Sequence, residues 1–273
     1  MSKNLQEEFS VYEGLFVKEI FLKSNEEGIN KVLFCFHDWF HYHSQFDYLI
    51  EFLNNHFSEN LKIIVIDFPG HGRTPGTRGE FKDKNILIEN LDKFIEEKSL
   101  KKNYFLSCGI GCLLIPFLRN EIIPKSHLFF VSPVFNMSPF MSEIYANIPS
   151  ILFNYGKQMR MKIPHLEKIY THSADYIKFK NDPLNLEFIT INTFNMLEKL
   201  AKKVLTESYY QEGEVTLVYD ESSPFVCSSS INLFLKTMPK DLSISKTYSN
   251  IGHSIISQSV SDEIFKDVLK WLK

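Results

Sequence analysis

The sequence predicts a single α/β domain with a mostly parallel, doubly wound β-sheet. Three observations support this prediction. Short apolar runs recur along the 273 residues, longer segments with helical periodicity separate them, and no repeat or low-complexity linker divides the chain. Runs this short and apolar are typical of parallel strands that are buried on both faces. Their alternation with helices is the pattern of a doubly wound sheet, which we expect to span residues 1–273 as one unit.

Each predicted strand is a short run of four to seven residues. The first ends before His37, and the second is closed by Pro69 and Gly70. The predicted strands are Lys31–Phe36, Leu61–Asp67, Tyr104–Ser107, His127–Val131, Val215–Tyr219 and Leu242–Thr247.

The segments between these runs have the periodicity of amphipathic helices. Leu87, Leu91 and Phe94 recur at helical spacing with charged residues between them, and the stretch that starts at Ser261 repeats the pattern up to Leu272. Such a spacing places the apolar side chains on one face, which packs on the sheet.

Residues 136–205 break the alternation, because the segment is helical and aromatic with no clear strand. Its first half contains apolar residues from Met137 to Phe153. An insertion of this kind in an α/β sheet predicts a helical lid over the carboxyl ends of the strands. The same residues can also pack on the sheet, and a lid does both.

Composition excludes several classes of function. The net charge is −3, with 30 Lys+Arg against 33 Asp+Glu, so the charge balance predicts neither a nucleic acid nor an anionic membrane as partner. The polar start Met1–Glu8 does not predict a signal peptide, and no apolar stretch approaches the roughly 18 residues of a spanning helix. The four cysteines form no Cys-x-x-Cys pair, which favours reduced thiols in a cytoplasmic protein.

Four local motifs occur in an order that resembles one known family. Asp67–Thr74 is similar to the Asp-x-x-Gly-His-Gly-x-Ser segment of α/β hydrolases, and Pro75–Gly79 to the Gly-x-Arg-Gly segment that follows it in monoacylglycerol lipases and lysophospholipases. Asp182–Leu184 matches a tripeptide of the family's lid, and Gly252–Ser254 matches its catalytic-histidine turn. The resemblance covers the chain from about Val32 to Lys273. It implies an α/β-hydrolase fold of the serine aminopeptidase S33 type, without a cofactor, and His253 as the catalytic base.

The family's chemistry requires a nucleophile on a sharp turn between a strand and a helix, usually in Gly-x-Ser-x-Gly. The corresponding segment here is Ser107–Cys112, and Gly109 stands at the serine position. Glycine has no side chain that can attack a carbonyl. It also adopts the strained conformation of this turn freely, whereas another residue pays roughly 1–3 kcal/mol.

Two other residues are alternative nucleophiles. Ser107 would serve in a shifted frame, but Phe105 then stands where a close-packed glycine is needed. Cys108 has the more nucleophilic atom, although its position in the turn normally points away from the acyl site.

The resemblance places Ser223 at the position of the catalytic acid, in the turn that follows Val215–Tyr219. A serine can hydrogen-bond an imidazole but cannot stabilise an imidazolium with a charge. Asp220 and Glu221 lie just upstream and could substitute, although solvated turn carboxylates are the favoured interpretation.

The oxyanion loop also departs from the family's His-Gly-x-Gly, since it has Asp38 and Phe40 in place of the glycines. The resemblance assigns the two oxyanion donors to the backbone N–H groups of Trp39 and Ile110. A carboxylate at Asp38 places negative charge near the charge that develops in the reaction. Nearby His37, His41 and His43 could suggest a metal, but no carboxylate or thiol has a matching spacing, so a structural loop is favoured.

These departures favour a non-catalytic module that binds an acyl chain or a small apolar ligand, or that interacts with an unknown protein partner. Losing the nucleophile of a well-studied serine protease costs about a million-fold in turnover, or about 8 kcal/mol of barrier. The alternative is an active ester hydrolase for monoacylglycerol or lysophospholipid that uses Cys108 or Ser107 with His253.

Overall fold

The computed structural model describes residues 5–23, 28–119, 121–136, 158–207, 211–238, 242–258 and 261–273. Within these residues, ten strands alternate with six α-helices for most of the chain. The strands are β1 (Gln6–Tyr12), β2 (Leu15–Leu22), β3 (Lys31–Phe36), β4 (Leu61–Asp67), β5 (Lys102–Cys108), β6 (His127–Val131), β7 (Arg160–Lys162), β8 (Phe188–Thr190), β9 (Val215–Asp220) and β10 (Ser243–Tyr248). The helices are α1 (Asp47–His56), α2 (Lys84–Lys98), α3 (Ser173–Asn181), α4 (Ile191–Val204), α5 (Ser228–Thr237) and α6 (Asp262–Trp271).

Eight of the strands form one sheet in the order β1-β2-β4-β3-β5-β6-β9-β10. Six neighbouring strands of this sheet are parallel to one another, namely β4, β3, β5, β6, β9 and β10. Strand β2 runs antiparallel to both of its neighbours, β1 and β4. The predicted α/β fold with a mostly parallel sheet is therefore confirmed. Because the parallel strands all point the same way, the loops after β3, β5, β9 and β10 meet at one edge.

Apolar side chains pack on both faces of the sheet. Along β3, Phe34 and Phe36 belong to the cluster beneath α2, α4 and α5, while Leu33 and Cys35 belong to the cluster beneath α1 and α6. This two-sided burial explains the uniformly apolar runs in the sequence. Among the described residues, no helix has the length and apolar content needed to cross a membrane.

Two strands precede the first one that the sequence predicts. β1 and β2 form an antiparallel hairpin at the edge of the sheet. β2 lacks a continuous apolar run because it carries Lys18 and Glu19, and both are buried. Glu19 is compensated by Lys62 of β4 and by Lys98, whose Nζ lies 3.0 Å from the Glu19 carboxylate. A search for apolar runs misses such a strand, because its charged residues find their partners only in the folded sheet.

The prediction that residues 136–205 contain no strand is wrong. Arg160–Lys162 (β7) and Phe188–Thr190 (β8) pair as a two-stranded antiparallel sheet. At three residues each, these strands are too short to show an alternating pattern. The apolar residues Met137–Phe153 lie outside the described residues, and the second half of the segment contributes α3 and α4.

Candidate active site

The turn after β5 retains the sharp geometry of a nucleophile elbow. Gly109 has a φ of +49° and is the first residue of a short 3₁₀ turn, Gly109–Leu113. Gly111 lies against β3, where an added Cβ would be 2.8 Å from the carbonyl oxygens of both Phe36 and His37. Glycine is therefore favoured at these two positions for different reasons. Gly109 has a left-handed backbone conformation, and Gly111 lies too close to the backbone at the end of β3 for a side chain.

The carboxylate of Asp38 occupies the space where a side chain at position 109 would begin. An ideal Cβ on Gly109 would lie 1.8 Å from Asp38 Oδ1 and 2.0 Å from its Cγ. Asp38 Oδ1 also accepts hydrogen bonds from the backbone N–H groups of Trp39 at 2.7 Å and Ile110 at 2.8 Å. These are the two groups that the family resemblance assigns to oxyanion binding. The loop after β3 thus fills the elbow with a negative charge of its own.

His253 lies in the loop after β10, with a partner at each ring nitrogen. Its Nε2 is 3.0 Å from Asp38 Oδ2, and its Nδ1 is 3.2 Å from Ser223 Oγ. An ionised carboxylate can only accept, so Nε2 carries the proton that it donates to Asp38. Ser223 Oγ accepts from the N–H of Phe225 at 3.3 Å, which leaves its hydroxyl proton for Nδ1. A neutral imidazole therefore has both of its nitrogens satisfied.

The three side chains are withdrawn from solvent. Asp38 is 1% exposed, His253 2% and Ser223 5%. The rings of Phe40 and Phe225 flank the imidazole, with centroids 5.8 and 4.9 Å from that of His253. Aromatic walls of this kind lower the local dielectric and strengthen the contact between Asp38 and His253.

Electrostatics favour an ionised Asp38 despite its burial. Burial by itself raises the pKa of this carboxyl group. The hydrogen bonds from His253 and from the N–H of Ile110 counteract burial and hold the pKa below its ordinary value.

A second carboxylate, Asp220, holds the loop that carries His253. Asp220 Oδ2 accepts from the N–H groups of Ile251 at 2.7 Å and Gly252 at 2.9 Å, and Oδ1 accepts from the N–H and hydroxyl of Ser222. Asp220 is fully buried, so its interpretation as a solvated turn carboxylate is wrong. Glu221 is exposed. Asp220 orients the backbone beside His253, while the imidazole itself contacts Ser223.

The sequence matches the model of one protein family over most of its length. The family is described as serine aminopeptidase, S33, and the match covers residues 28–259. The chain belongs to this family. A comparison with curated protein sequences finds no match.

Solved structures share the fold of this S33 family member at low sequence identity. A soluble variant of monoglyceride lipase from Saccharomyces cerevisiae, in complex with a substrate analogue, is 15% identical with a TM-score of 0.80, over 100% of this chain and 97% of that one. The monoacylglycerol lipase of Paleococcus ferrophilus is 17% identical with a TM-score of 0.75, over 94% and 98% of the two chains. The α/β-hydrolase fold of the monoacylglycerol lipase type is thereby shown.

Neither alternative nucleophile of this family member contacts the imidazole, because Asp38 and Ser223 hold both ring nitrogens. The Cys108 side chain belongs to the cluster on the α1 and α6 face, away from Phe40 and Ile110 on the other face. Burial raises the pKa of the Cys108 thiol well above its ordinary value, which opposes thiolate formation. Ser107 is fully buried, and its hydroxyl has no hydrogen-bond partner among the described residues.

The three neighbouring histidines have separate partners. His37 Nε2 accepts from the N–H of Phe68 at 2.9 Å, His41 Nε2 lies 2.7 Å from the Tyr170 hydroxyl, and His43 Nδ1 lies 2.9 Å from Asp67 Oδ2. In the part of the chain that the structure describes, no group of three or more His, Cys, Asp or Glu side chains is placed to hold a metal ion.

The segment Pro75–Gly79 and the motif Asp182–Leu184 contact each other. Arg78 donates from its guanidinium to the carbonyl oxygen of Leu184 at 2.5 Å, and Asp182 Oδ2 accepts from the Tyr42 hydroxyl at 2.5 Å. Trp39 Nε1 donates to the carbonyl of Phe188 at 3.0 Å. The second half of segment 136–205 is thus attached directly to the loop that carries Asp38.

Sequence reasoning identified Asp38 as an unfavourable charge but missed its position. The available signal was a pair of changes, a side chain lost at Gly109 and a carboxylate gained at Asp38. The two changes were interpreted separately. In the folded chain, the carboxylate of Asp38 occupies the space that a side chain at position 109 would fill.

Proposed function

We propose that this chain is a catalytically inactive member of the S33 family, which retains the fold as a binding or interaction module. The observation that carries the proposal is the position of Asp38, whose carboxylate fills the elbow and engages both oxyanion donors. An ester carbonyl oxygen would have to displace an anion that is already bound there. The repulsion between that anion and a developing oxyanion opposes catalysis.

The partner of His253 Nδ1 supports the same proposal. The hydroxyl of Ser223 carries no charge, so it cannot stabilise the imidazolium that forms when histidine accepts a proton. Nε2, which would take the nucleophile's proton, already bears a proton donated to Asp38. The constellation therefore lacks a nucleophile, a free base nitrogen and an acid.

The direct test is turnover of short-chain nitrophenyl esters and of a monoacylglycerol by the purified protein. We expect rates equal to those of a His253→Ala variant, because the imidazole has no nucleophile to activate. Turnover that the His253→Ala change abolishes would rule the proposal out.

The competing function is an active ester hydrolase that uses Cys108 or Ser107, and covalent probes distinguish it. A fluorophosphonate should label neither residue. A thiol-directed probe needs a Cys227→Ser background. Although burial raises the pKa of the Cys227 thiol, hydrogen bonds from Ser229 and Ser230 outweigh burial and lower the pKa to about 7. In that background we expect no labelling of the native protein, and rapid, stoichiometric labelling of Cys108 would support the active enzyme.

The bound partner is proposed to be an acyl chain or small apolar ligand beneath a lid formed by residues 136–205. Support comes from the attachment of this segment to the loop of Asp38, and from a fold shared with a lipase whose structure holds a substrate analogue. Organic extraction of the purified protein should yield a stoichiometric lipid. If extraction yields none and the protein associates with another chain through this segment, the interaction role is favoured.

A further inference from the structure

Strand β1 forms one edge of the eight-stranded sheet, and its outer side is open. Its seven residues pair with β2 in an unbroken register, and six of them are exposed. They include the apolar side chains of Phe9 and Val11, which are 53% and 68% exposed. β1 contains no proline, lysine or bulge, which are features that commonly protect an edge strand from pairing with another chain.

The turn between β1 and β2 determines which backbone groups of β1 face outward. It consists of Glu13 and Gly14, with φ of +46° and +83°. In a two-residue hairpin of this kind, the residues that flank the turn exchange hydrogen bonds, and every second residue repeats the pattern. The even-numbered residues of β1 therefore bond to β2. The N–H and C=O groups of Glu7, Phe9 and Val11 point away from β2.

A contact of β2 supports this assignment. Phe16 lies opposite Val11, and its N–H donates to the Thr74 hydroxyl at 2.7 Å rather than to β1, as the alternation requires. Among the described residues, no backbone hydrogen bond joins Glu7, Phe9 or Val11 to an element beyond β2. The edge of β1 thus offers three donors and three acceptors to another strand.

This edge is complementary to an antiparallel copy of itself. When two β1 strands pair about Phe9, this residue lies opposite Phe9 of the second copy, and Val11 lies opposite Glu7 of the second copy. The outward-facing residues of each strand then meet those of the other, as an antiparallel ladder requires. All seven residues of β1 are paired in this register.

The two glutamates of β1 favour the same register. Centring the pair on Glu7 or Glu8 would place like charges directly opposite each other, which is destabilising. Centring it nearer the turn pairs fewer residues. Centring it on Phe9 places Glu8 opposite Ser10 and Glu7 opposite Val11, so no glutamate faces another.

Charge complementarity is added by an exposed arginine. The Arg73 guanidinium covers the rings of Phe9 and Phe16, at 5.7 and 5.3 Å from their centroids. Directly opposite residues of paired strands share one face of the sheet. Glu7 of the second copy, opposite Val11, would therefore lie on the face that carries Arg73.

We propose that β1 is a homodimer interface, at which two copies of this chain pair antiparallel about Phe9 and join their sheets into one. Backbone hydrogen bonds supply the attraction, and Phe9 and Val11 bury apolar surface. A single strand pair is small beside the roughly 1,600 Å² of a standard interface, so the dimer should form in a concentration-dependent equilibrium. The interface goes beyond the proposed loss of catalysis and does not depend on it, because it uses none of the residues around Gly109.

Sedimentation of the full-length protein over a wide range of concentrations tests the proposal. We expect a monomer–dimer equilibrium. Val11→Pro removes an outward N–H and leaves the bonds between β1 and β2 in place, so it should weaken dimerisation by about tenfold or more. Val11→Ala keeps the N–H, and as the matched control it should weaken dimerisation only by about threefold. A monomer at every concentration, or equal effects of the two variants, would overturn the proposal.

Cysteine crosslinking tests the register in a Cys227→Ser background, because the other three cysteines are buried. Opposed Phe9 positions would have Cα atoms about 5.5 Å apart, within the roughly 4.4–6.8 Å that a disulfide spans. Phe9→Cys should therefore form a disulfide-linked dimer under mild oxidation. Val11→Cys is the matched control on the same strand. Its two copies would lie roughly 14 Å apart along the strands, so they should not crosslink. Equal crosslinking of the two variants, or none of Phe9→Cys, would overturn the pairing about Phe9.

Discussion

Asp38 and His253 form a buried contact of 3.0 Å between the loop after β3 and the loop after β10. The contact bridges the site from one side to the other, since Asp38 also binds the N–H of Ile110 in the elbow and His253 also contacts Ser223 after β9. Four loops are therefore joined through two side chains. A cleft that should open to substrate is instead held together by polar contacts within the chain.

The first prediction is that Asp38→Asn destabilises the fold. An amide oxygen at the Oδ1 position can still accept from both backbone N–H groups, but the NH₂ group then faces Nε2 of His253, so the charge-assisted contacts of the carboxylate are lost. We expect the free energy of unfolding in urea to fall by about 1–3 kcal/mol. Glu221→Gln, at an exposed carboxylate in the turn after β9, is the control and should change stability by less than about 0.5 kcal/mol. Equal stability of the two variants would mean that the Asp38 contacts contribute little.

The second prediction concerns Gly109 and Asp38 as a pair. Gly109→Ser places a Cβ 1.8 Å from Asp38 Oδ1 and a non-glycine residue at a φ of +49°, so the variant should be destabilised and inert. Gly109→Ala is the matched control and should lose a similar amount of stability. Adding Asp38→Gly removes the clash, and we expect a coupling of about 0.5–3 kcal/mol in a double-mutant cycle measured by urea unfolding.

Additive losses in that cycle would show that the Asp38 side chain moves aside at no cost. Restoration of chemistry should need a third change, Ser223→Asp, to provide the charge behind His253. Labelling by a fluorophosphonate should appear in the triple variant Asp38→Gly/Gly109→Ser/Ser223→Asp and not in Gly109→Ser alone.

The third prediction is a loss of stability at mildly acidic pH. Burial lowers the pKa of His37, and it lowers the pKa of His41 to about 3, against about 6.5 in the unfolded chain. Below pH 6.5 the unfolded chain takes up protons that the folded chain does not. The free energy of unfolding therefore decreases as the pH is lowered. Each histidine contributes up to about 1.4 kcal/mol per pH unit.

Urea unfolding between pH 6.5 and 4.5 measures this dependence. The slope of the unfolding free energy against pH gives the number of protons taken up on unfolding. The His41→Gln variant should lower this number by about one, whereas His172→Gln, at an exposed residue, should leave it unchanged. A flat stability profile across this range would contradict the prediction.

The fourth prediction is that Arg78→Met loosens the turn around Leu184 without unfolding the sheet. Arg78 donates to the Leu184 carbonyl at 2.5 Å, and its other donations reach Gly72, Pro183 and Asn185. Hydrogen exchange should accelerate at residues 179–186 and remain unchanged in α1. Lys82→Met, at an exposed residue nearby, should affect neither region. Unchanged exchange at 179–186 would show that the guanidinium does not hold the turn.

The central strands were predictable from the sequence because burial on both faces leaves a continuous apolar run. β2 was not predictable in this way, because Lys18 and Glu19 interrupt its apolar pattern. Lys18 pairs with Glu7 of β1, and Glu19 pairs with Lys62 and Lys98, which are distant in sequence. The order of the motifs predicted the fold. It could not predict the position of the Asp38 carboxylate, since the space beside Gly109 exists only after β3 and β5 have paired.

The occupied elbow has an evolutionary consequence. If an ancestor of this chain carried a serine at position 109, mutation back to that residue now meets a neighbour that has taken over its volume and its hydrogen bonds. The reversal would pass through a less stable protein that gains no activity, so selection would remove it before a second change at Asp38 could follow. The side chain of Asp38 thus opposes the reverse mutation at position 109. Descendants of this lineage are expected to diverge through their binding surfaces rather than by regaining an ancestral reaction.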